Sequence, residues 1–262
     1  IVMCVRQPNG EIVTREEEIR SLCGRHRVLG LPFVRGVIVL FETMYFGIRS
    51  LFFSANTVLG EEEKFTYREL LLVVALVLAF SCFFMVVPFL LTTYFGLAGL
   101  LFNVVEAAVR FTFFIGYLFL VSRWGEFRRV LQYHGAEHKT INAHEAGTAL
   151  NVEEIKGFSR LNPRCGTSFL FIVLLISIVL FSLVPSADFY TRLAMRLVLI
   201  PAIGSISYEL LKFSDRHRDS NVVKILTAPG LAFQRLTTKE PDDDMIEVAV
   251  KALEEVKRLS GL

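Results

Sequence analysis

The chain has few of the features that staple a small secreted domain or grip a nucleic acid. Its four cysteines, Cys4, Cys23, Cys82 and Cys165, stand far apart and form no Cys-x-x-Cys pair, so neither a disulfide framework nor a four-cysteine zinc site is indicated. Net charge is only +2, with no polybasic stretch interleaved with aromatics, so nucleic acid is not an expected partner. No internal repeat is visible, which leaves an inverted-repeat transporter without support. There is no initiating Met and no signal-peptide pattern; Ile1 reads as the middle of a strand, and a segment upstream of it is expected.

What the chain does have is apolar mass. Of 262 residues 53% are hydrophobic, 24 are Phe, and mean hydropathy is +0.51, which is too apolar for a soluble domain of this size. The pattern predicts a mainly α, polytopic membrane protein with about four transmembrane helices, an amphipathic interfacial helix, a small β element and a C-terminal amphipathic helix.

Residues 1–31 open with apolar and polar alternation around Pro8-Asn9-Gly10, the turn chemistry of a two-residue hairpin. Residues 32–54 are apolar but carry Arg35, Glu42 and Arg49 at intervals of seven, so one helical face is charged. That stripe suits either the headgroup region or a protein interior, and the interfacial reading is preferred. Residues 67–122 hold the first pair of spans, and 167–213 the second. Glu106 and Arg110, four residues apart inside a span, form either structural glue or part of a polar path. The loop 123–166 carries Arg123, Arg128, Arg129, Lys139, Lys156, Arg160 and Arg164, whereas the loops on the other side offer only Arg192. The positive-inside rule therefore places this loop and both termini in the cytoplasm. In 214–262, Ala228-Pro229-Gly230 reads as a turn, and Met245 to Leu259 as a soluble amphipathic helix packing on the β element.

Chemistry concentrates in the central loop. In Tyr133-His134-Gly135-Ala136-Glu137-His138-Lys139 two imidazoles stand one helical turn apart and project from one face, where both reach a single metal ion. The order His-x-x-Glu-His is the inverted form of the zinc-hydrolase motif, in which the glutamate handles protons. Phe127, Val130, Leu131 and Ile141 share that face, so the imidazoles are expected to point inward beneath the helix. A divalent metal, zinc by donor type, needs further ligands. Cys165 and Glu209 lie at the right depth, while His144 and Glu145 require a break in the helix. Cys165 is otherwise a small buried side chain, and Glu209 a salt-bridge partner of Arg164 or Lys212.

Tyr133 to Lys139, Arg164-Cys165-Gly166-Thr167-Ser168-Phe169 and Leu236-Thr237-Thr238-Lys239-Glu240-Pro241, in this order, resemble the YqhQ family of bacterial membrane proteins. The resemblance runs over essentially the whole chain. It implies a multi-pass protein of the bacterial cell membrane and a metal-dependent role, and it supplies no reaction. Family members begin with a Gly-Gly-Gln-Ala-Val segment that does not precede Ile1. They often carry His where this chain has Asn162, so position 162 is not counted among the ligands.

Three functions fit. In a zinc-dependent hydrolase at the cytoplasmic membrane face, His134, His138, Cys165 and Glu209 supply ligands and Glu137 is the catalytic base. In a path for an ion or small solute, Glu106, Arg110, Glu209 and the histidines line a bundle or homo-oligomer. In a structural membrane protein, the polar motifs tie loops to spans. The lipid bilayer and further copies of the chain are the expected partners; the substrate is open. The orientation is testable: a thiol reagent confined to the outside leaves Cys165 unmodified, and labelling from outside overturns the topology.

Overall fold

The computed structural model describes residues 1–19, 21–26, 28–59, 67–97, 99–163, 165–184, 189–217 and 220–261. The charged loop at 61–64, Arg164, the loop at 185–188 and Arg218 lie outside them. The chain is mainly helical, with one small sheet. Strands β1 (Val2–Arg6) and β2 (Ile12–Glu16) pair antiparallel, with Val2 opposite Glu16 and Arg6 opposite Ile12. Their connection is a three-residue loop rather than the two-residue turn expected. Gln7 N–H donates to Glu11 O at 2.8 Å, and Gly10 takes φ +91, a conformation open to glycine.

A short helix α1 (Leu22–Arg25) leads to α2 (Val34–Leu59), α3 (Tyr67–Tyr94) and α4 (Gly99–Val121). After α5 (Gly125–Glu145) and the single turn α6 (Val152–Ile155) come α7 (Gly166–Ser182), α8 (Phe189–Arg216), α9 (Asn221–Thr237) and α10 (Asp243–Ser260). Among the described residues three helices, α2, α4 and α8, are long and apolar enough to cross a membrane. The second half of α3 and the 17-residue α7 are apolar as well.

Each charge of the α2 stripe finds a partner within the chain. Arg35 Nε donates to Glu209 Oε1 at 2.7 Å. Glu42 accepts from Ser21 Oγ at 2.9 Å and Leu22 N at 2.7 Å, anchoring the start of α1. Arg49 pairs with Glu17, and the Arg15 guanidinium stands 5.4 Å from the Phe53 ring centre. Phe33, just before α2, takes a left-handed φ of 68, held because its N–H donates to Glu209 and its carbonyl accepts from Ser205.

One other element differs from its sequence reading. Residues 228–230 are not a turn: Pro229 lies inside α9. Proline costs that helix one hydrogen bond, and tertiary packing offsets it. Phe233, 6% exposed, packs against Phe114 of α4 and Phe171 of α7 at centroid distances of 5.5 and 6.1 Å. Helix α10 rests on the sheet as expected, with Arg6 Nη2 donating to Asp244 O at 3.0 Å, but it also packs on α5. Met245 and Ile246, each 1% exposed, close a cluster with Ala136, Ala143 and Ile155.

The contact between α2 and α8 depends on a missing side chain. A Cβ on Gly36 would fall 2.8 Å from Ser205 Cα, so the backbones touch there as small residues allow in apolar bundles. Replacing Gly36 with Leu is expected to destabilise the protein by about 1–3 kcal/mol. The same change at Gly47, which faces open space on α2, is expected to leave the melting temperature within error. Equal melting temperatures for the two variants would remove the close contact.

Candidate metal centre

Helix α5 follows directly on α4, with Trp124 between them. The apolar face expected to bury the imidazoles is only partly buried: Phe127 and Val130 are 41% and 61% exposed. The covered face lies further along, at Gly135, Ala136, His138, Lys139, Thr140 and Ala143, because α6 and α10 cover only the second half of α5.

His134 and His138 stand side by side, ring centres 4.4 Å apart, as their spacing demands. Cys165 reaches them from the residue before α7, at the positive end of that helix, where negative sulfur is favoured. The ligand atoms of His134, His138 and Cys165 all lie within 4.8 Å of one another. His134 Nδ1 is 2.8 Å from Thr237 O, and His138 Nδ1 is 2.7 Å from Arg160 O. A carbonyl only accepts, so both Nδ1 atoms carry a proton, and the Nε2 of each ring faces the other way. That is the arrangement in which outer hydrogen bonds orient metal-binding histidines. His134 Nε2 lies 3.0 Å from Cys165 Sγ. This contact is the main reason that His134 is held above its ordinary pKa; burial opposes it, and the charge on sulfur, the Thr237 carbonyl and Glu137 add to it. A metal ion binding here therefore displaces a proton.

The two carbonyls are placed by main-chain packing. Thr237 ends α9, where carbonyls have no helical partner, and 238–240 then run along α5 as a strap. Lys239 N–H donates to Leu131 O at 2.8 Å, Gln132 Nε2 donates to Glu240 O at 3.0 Å, and Lys139 pairs with Glu240 at 2.8 Å. The strap lies so close that a Cβ on Gly135 would stand 2.1 Å from Lys239 O. Arg160 ties the second carbonyl to the same strap through Nη1 to Thr238 O at 2.5 Å. Below it, Asn142 Nδ2 holds Ser159 O at 2.6 Å and Leu161 O at 3.1 Å. Asn162 exchanges bonds with the fully buried Gln234, N to Oε1 at 2.9 Å and Nε2 to O at 2.7 Å. Position 162 thus shapes the loop that presents Cys165.

Of the residues proposed from sequence, His134, His138 and Cys165 come together. Glu209 does not join them: its carboxylate is bound by Arg35 and the Phe33 N–H. Nor do His144 and Glu145, since α5 stays helical through Glu145. Glu137 is exposed and makes no hydrogen bond or ion pair among the described residues, including with Arg160, which engages Glu240 instead. Gly135, Gln234 and the strap carbonyl went unassigned; the small residue between two histidines is the one sequence signal for them. Lys239 is held below its ordinary pKa by burial first and then by Arg160, Arg128 and Arg123, so this flank of the centre is electropositive.

Gly135→Ala is expected to displace the strap and cost about 1–3 kcal/mol of stability. Metal affinity should fall with it, by roughly 10–100-fold as when an outer hydrogen bond is lost. Unchanged stability and metal content in that variant would mean that the strap does not position His134.

Residues 31–259 match the family described as protein of unknown function DUF1385. The chain is similar to the uncharacterized protein YqhQ of Bacillus subtilis (strain 168), with 34% identity over 253 residues, covering 88% of this chain and 79% of that protein. No solved structure matches it. Three sequence motifs that meet at one cluster, and a family match along most of their carrier, lead to one assignment: the chain belongs to the DUF1385 family.

Proposed function

We propose that this is a membrane metalloprotein in which His134, His138 and Cys165 hold one zinc ion and that it hydrolyses its substrate at the cytoplasmic face of the bacterial cell membrane. The observation that carries this reading is the convergence of three ligand atoms within 4.8 Å, with both imidazoles already oriented by carbonyls. Two imidazoles and a thiolate suit zinc by softness, and three protein ligands leave a fourth position for chemistry. His134 Nε2 and Cys165 Sγ stand 3.0 Å apart, so both would hold the ion. A zinc ion there would supply Lewis acidity and would make a water a better nucleophile at neutral pH.

Glu137 is the base in this scheme. It points about 100° away from His138 around the helix, is exposed and uncommitted among the described residues, and its charge reaches His134. From there its carboxylate accepts the proton of the attacking water and returns it to the leaving group.

The packing of the soluble elements supports the membrane arrangement. The N-terminal sheet packs on α10 at the other end of the chain, so an even number of crossings separates them. Helices α3, α4, α7 and α8 supply four. Helix α2 then lies at the interface despite its length, since Glu42, Arg49 and Phe53 along it all contact the N-terminal segment.

A second reading rests on the same 3.0 Å contact: Cys165 as nucleophile, His134 as its base and the Thr237 carbonyl orienting the ring. Metal content separates the two. In the zinc reading His134→Ala, His138→Ala and Cys165→Ser each lose the ion, while Glu137→Gln keeps it and loses turnover by roughly 100-fold or more. Full metal content in all three ligand variants, on folded protein, would refute the zinc site.

A further inference from the structure

Helices α3, α4, α7 and α8, joined by Leu40 of α2, line a partly open cavity of about 470 Å³. That volume falls among sites for small ligands, and the walls are almost wholly aromatic and aliphatic. Along α4 it is lined by Arg110, Phe114 and Tyr117 on successive turns, and along α7 from Phe169 to Phe181. The α7 wall is about 18 Å long at 1.5 Å per residue. Among the described residues Arg110 is the one charged side chain lining it.

Among the described residues the Arg110 end of the cavity carries unbalanced charge. Arg110 and Arg196 both bind Glu106, and both guanidiniums stand over the Phe181 ring, 5.2 and 5.1 Å from its centre. Glu106 and Arg196 are 3% and 1% exposed. Guanidinium does not deprotonate in proteins, so one carboxylate answers two permanent cations, and a buried unmatched charge is unfavourable. Donors are left over as well. Arg110 commits only Nη2, and its Nε, like that of Arg196, is buried without a partner among the described residues.

We infer that this cavity binds a membrane lipid with an anionic headgroup, its chain along α7 and its phosphate at the Arg110–Arg196 end. An anion there neutralises the triad and accepts the spare N–H groups, which a neutral chain cannot do. A zwitterionic choline headgroup brings a third cation beside two guanidiniums and is disfavoured. A second copy of the chain is a poorer occupant, because the site asks for one anion at the end of a long apolar body, which a lipid supplies in a single molecule. This site is separate from the metal centre and does not depend on its being catalytic.

The test offers the purified full chain, in nonionic detergent, equal amounts of phosphatidylglycerol and phosphatidylcholine with identical acyl chains, and reads retained lipid by native mass spectrometry. Phosphatidylglycerol should be kept by about tenfold over phosphatidylcholine. Arg110→Met leaves a neutral Glu106–Arg196 pair, so the preference should vanish while the lipid-free melting temperature does not fall. Val173→Trp fills the cavity and should abolish retention of both lipids in protein that still melts cooperatively. Equal retention of the two lipids, retention of neither by the parent, or an unchanged preference in Arg110→Met overturns the inference. If Arg110→Met does not fold, Val173→Trp decides: phosphatidylglycerol kept by that folded variant overturns it.

Discussion

The centre depends on two hydrogen bonds from imidazole to main chain, His134 Nδ1 to Thr237 O and His138 Nδ1 to Arg160 O. Each bond removes one tautomer and one rotational freedom from its ring, which is how a flexible pair of side chains becomes a preformed binding face. The carbonyls belong to segments far from α5 in the chain, so the bonds exist only when the fold is complete. Gly135 lets the 237–240 strap approach, α10 presses on the back of α5, and the Asn142, Asn162 and Gln234 network shapes the loop that ends in Cys165. The cluster is thus a product of tertiary structure, with one helical spacing as its seed.

Polar side chains on the apolar bundle follow a different logic. Arg35 and Glu209 join α2 to α8, and Glu106 joins α4 to α8 through Arg196. Such groups are costly in an apolar environment unless matched, and the first pair is matched one to one. The second is not, and its surplus cation opens onto an apolar cavity. Structural and ligand-directed charge are distinguished here by counting, since burial and distance look alike in both.

Legibility from sequence followed range. The His134 and His138 pair was readable because i and i+4 share a helix face whatever the fold. Cys165 was readable as a thiol at the mouth of an apolar helix, but its meeting with His134 depends on a loop whose hydrogen bonds have no local signature. Glu209 looked equally suitable as a ligand; what removes it is Arg35, far away in sequence. Pro229 reads as a turn residue in isolation, and only the packing of Phe233 on α4 and α7 explains why the helix continues through it. The apolar stripe of α5 was extrapolated to Phe127 and Val130, which stay exposed because α6 and α10 cover the other half of the helix. The family resemblance was carried by three motifs whose common purpose, convergence on one centre, becomes visible only in three dimensions.

The most direct test is zinc K-edge absorption on the purified parent protein, combined with its metal stoichiometry. One zinc per chain is expected, with one sulfur at about 2.3 Å and two imidazole nitrogens near 2.0 Å in its first shell. Folded protein without metal, or bound zinc with no sulfur neighbour, would contradict a centre built from His134, His138 and Cys165.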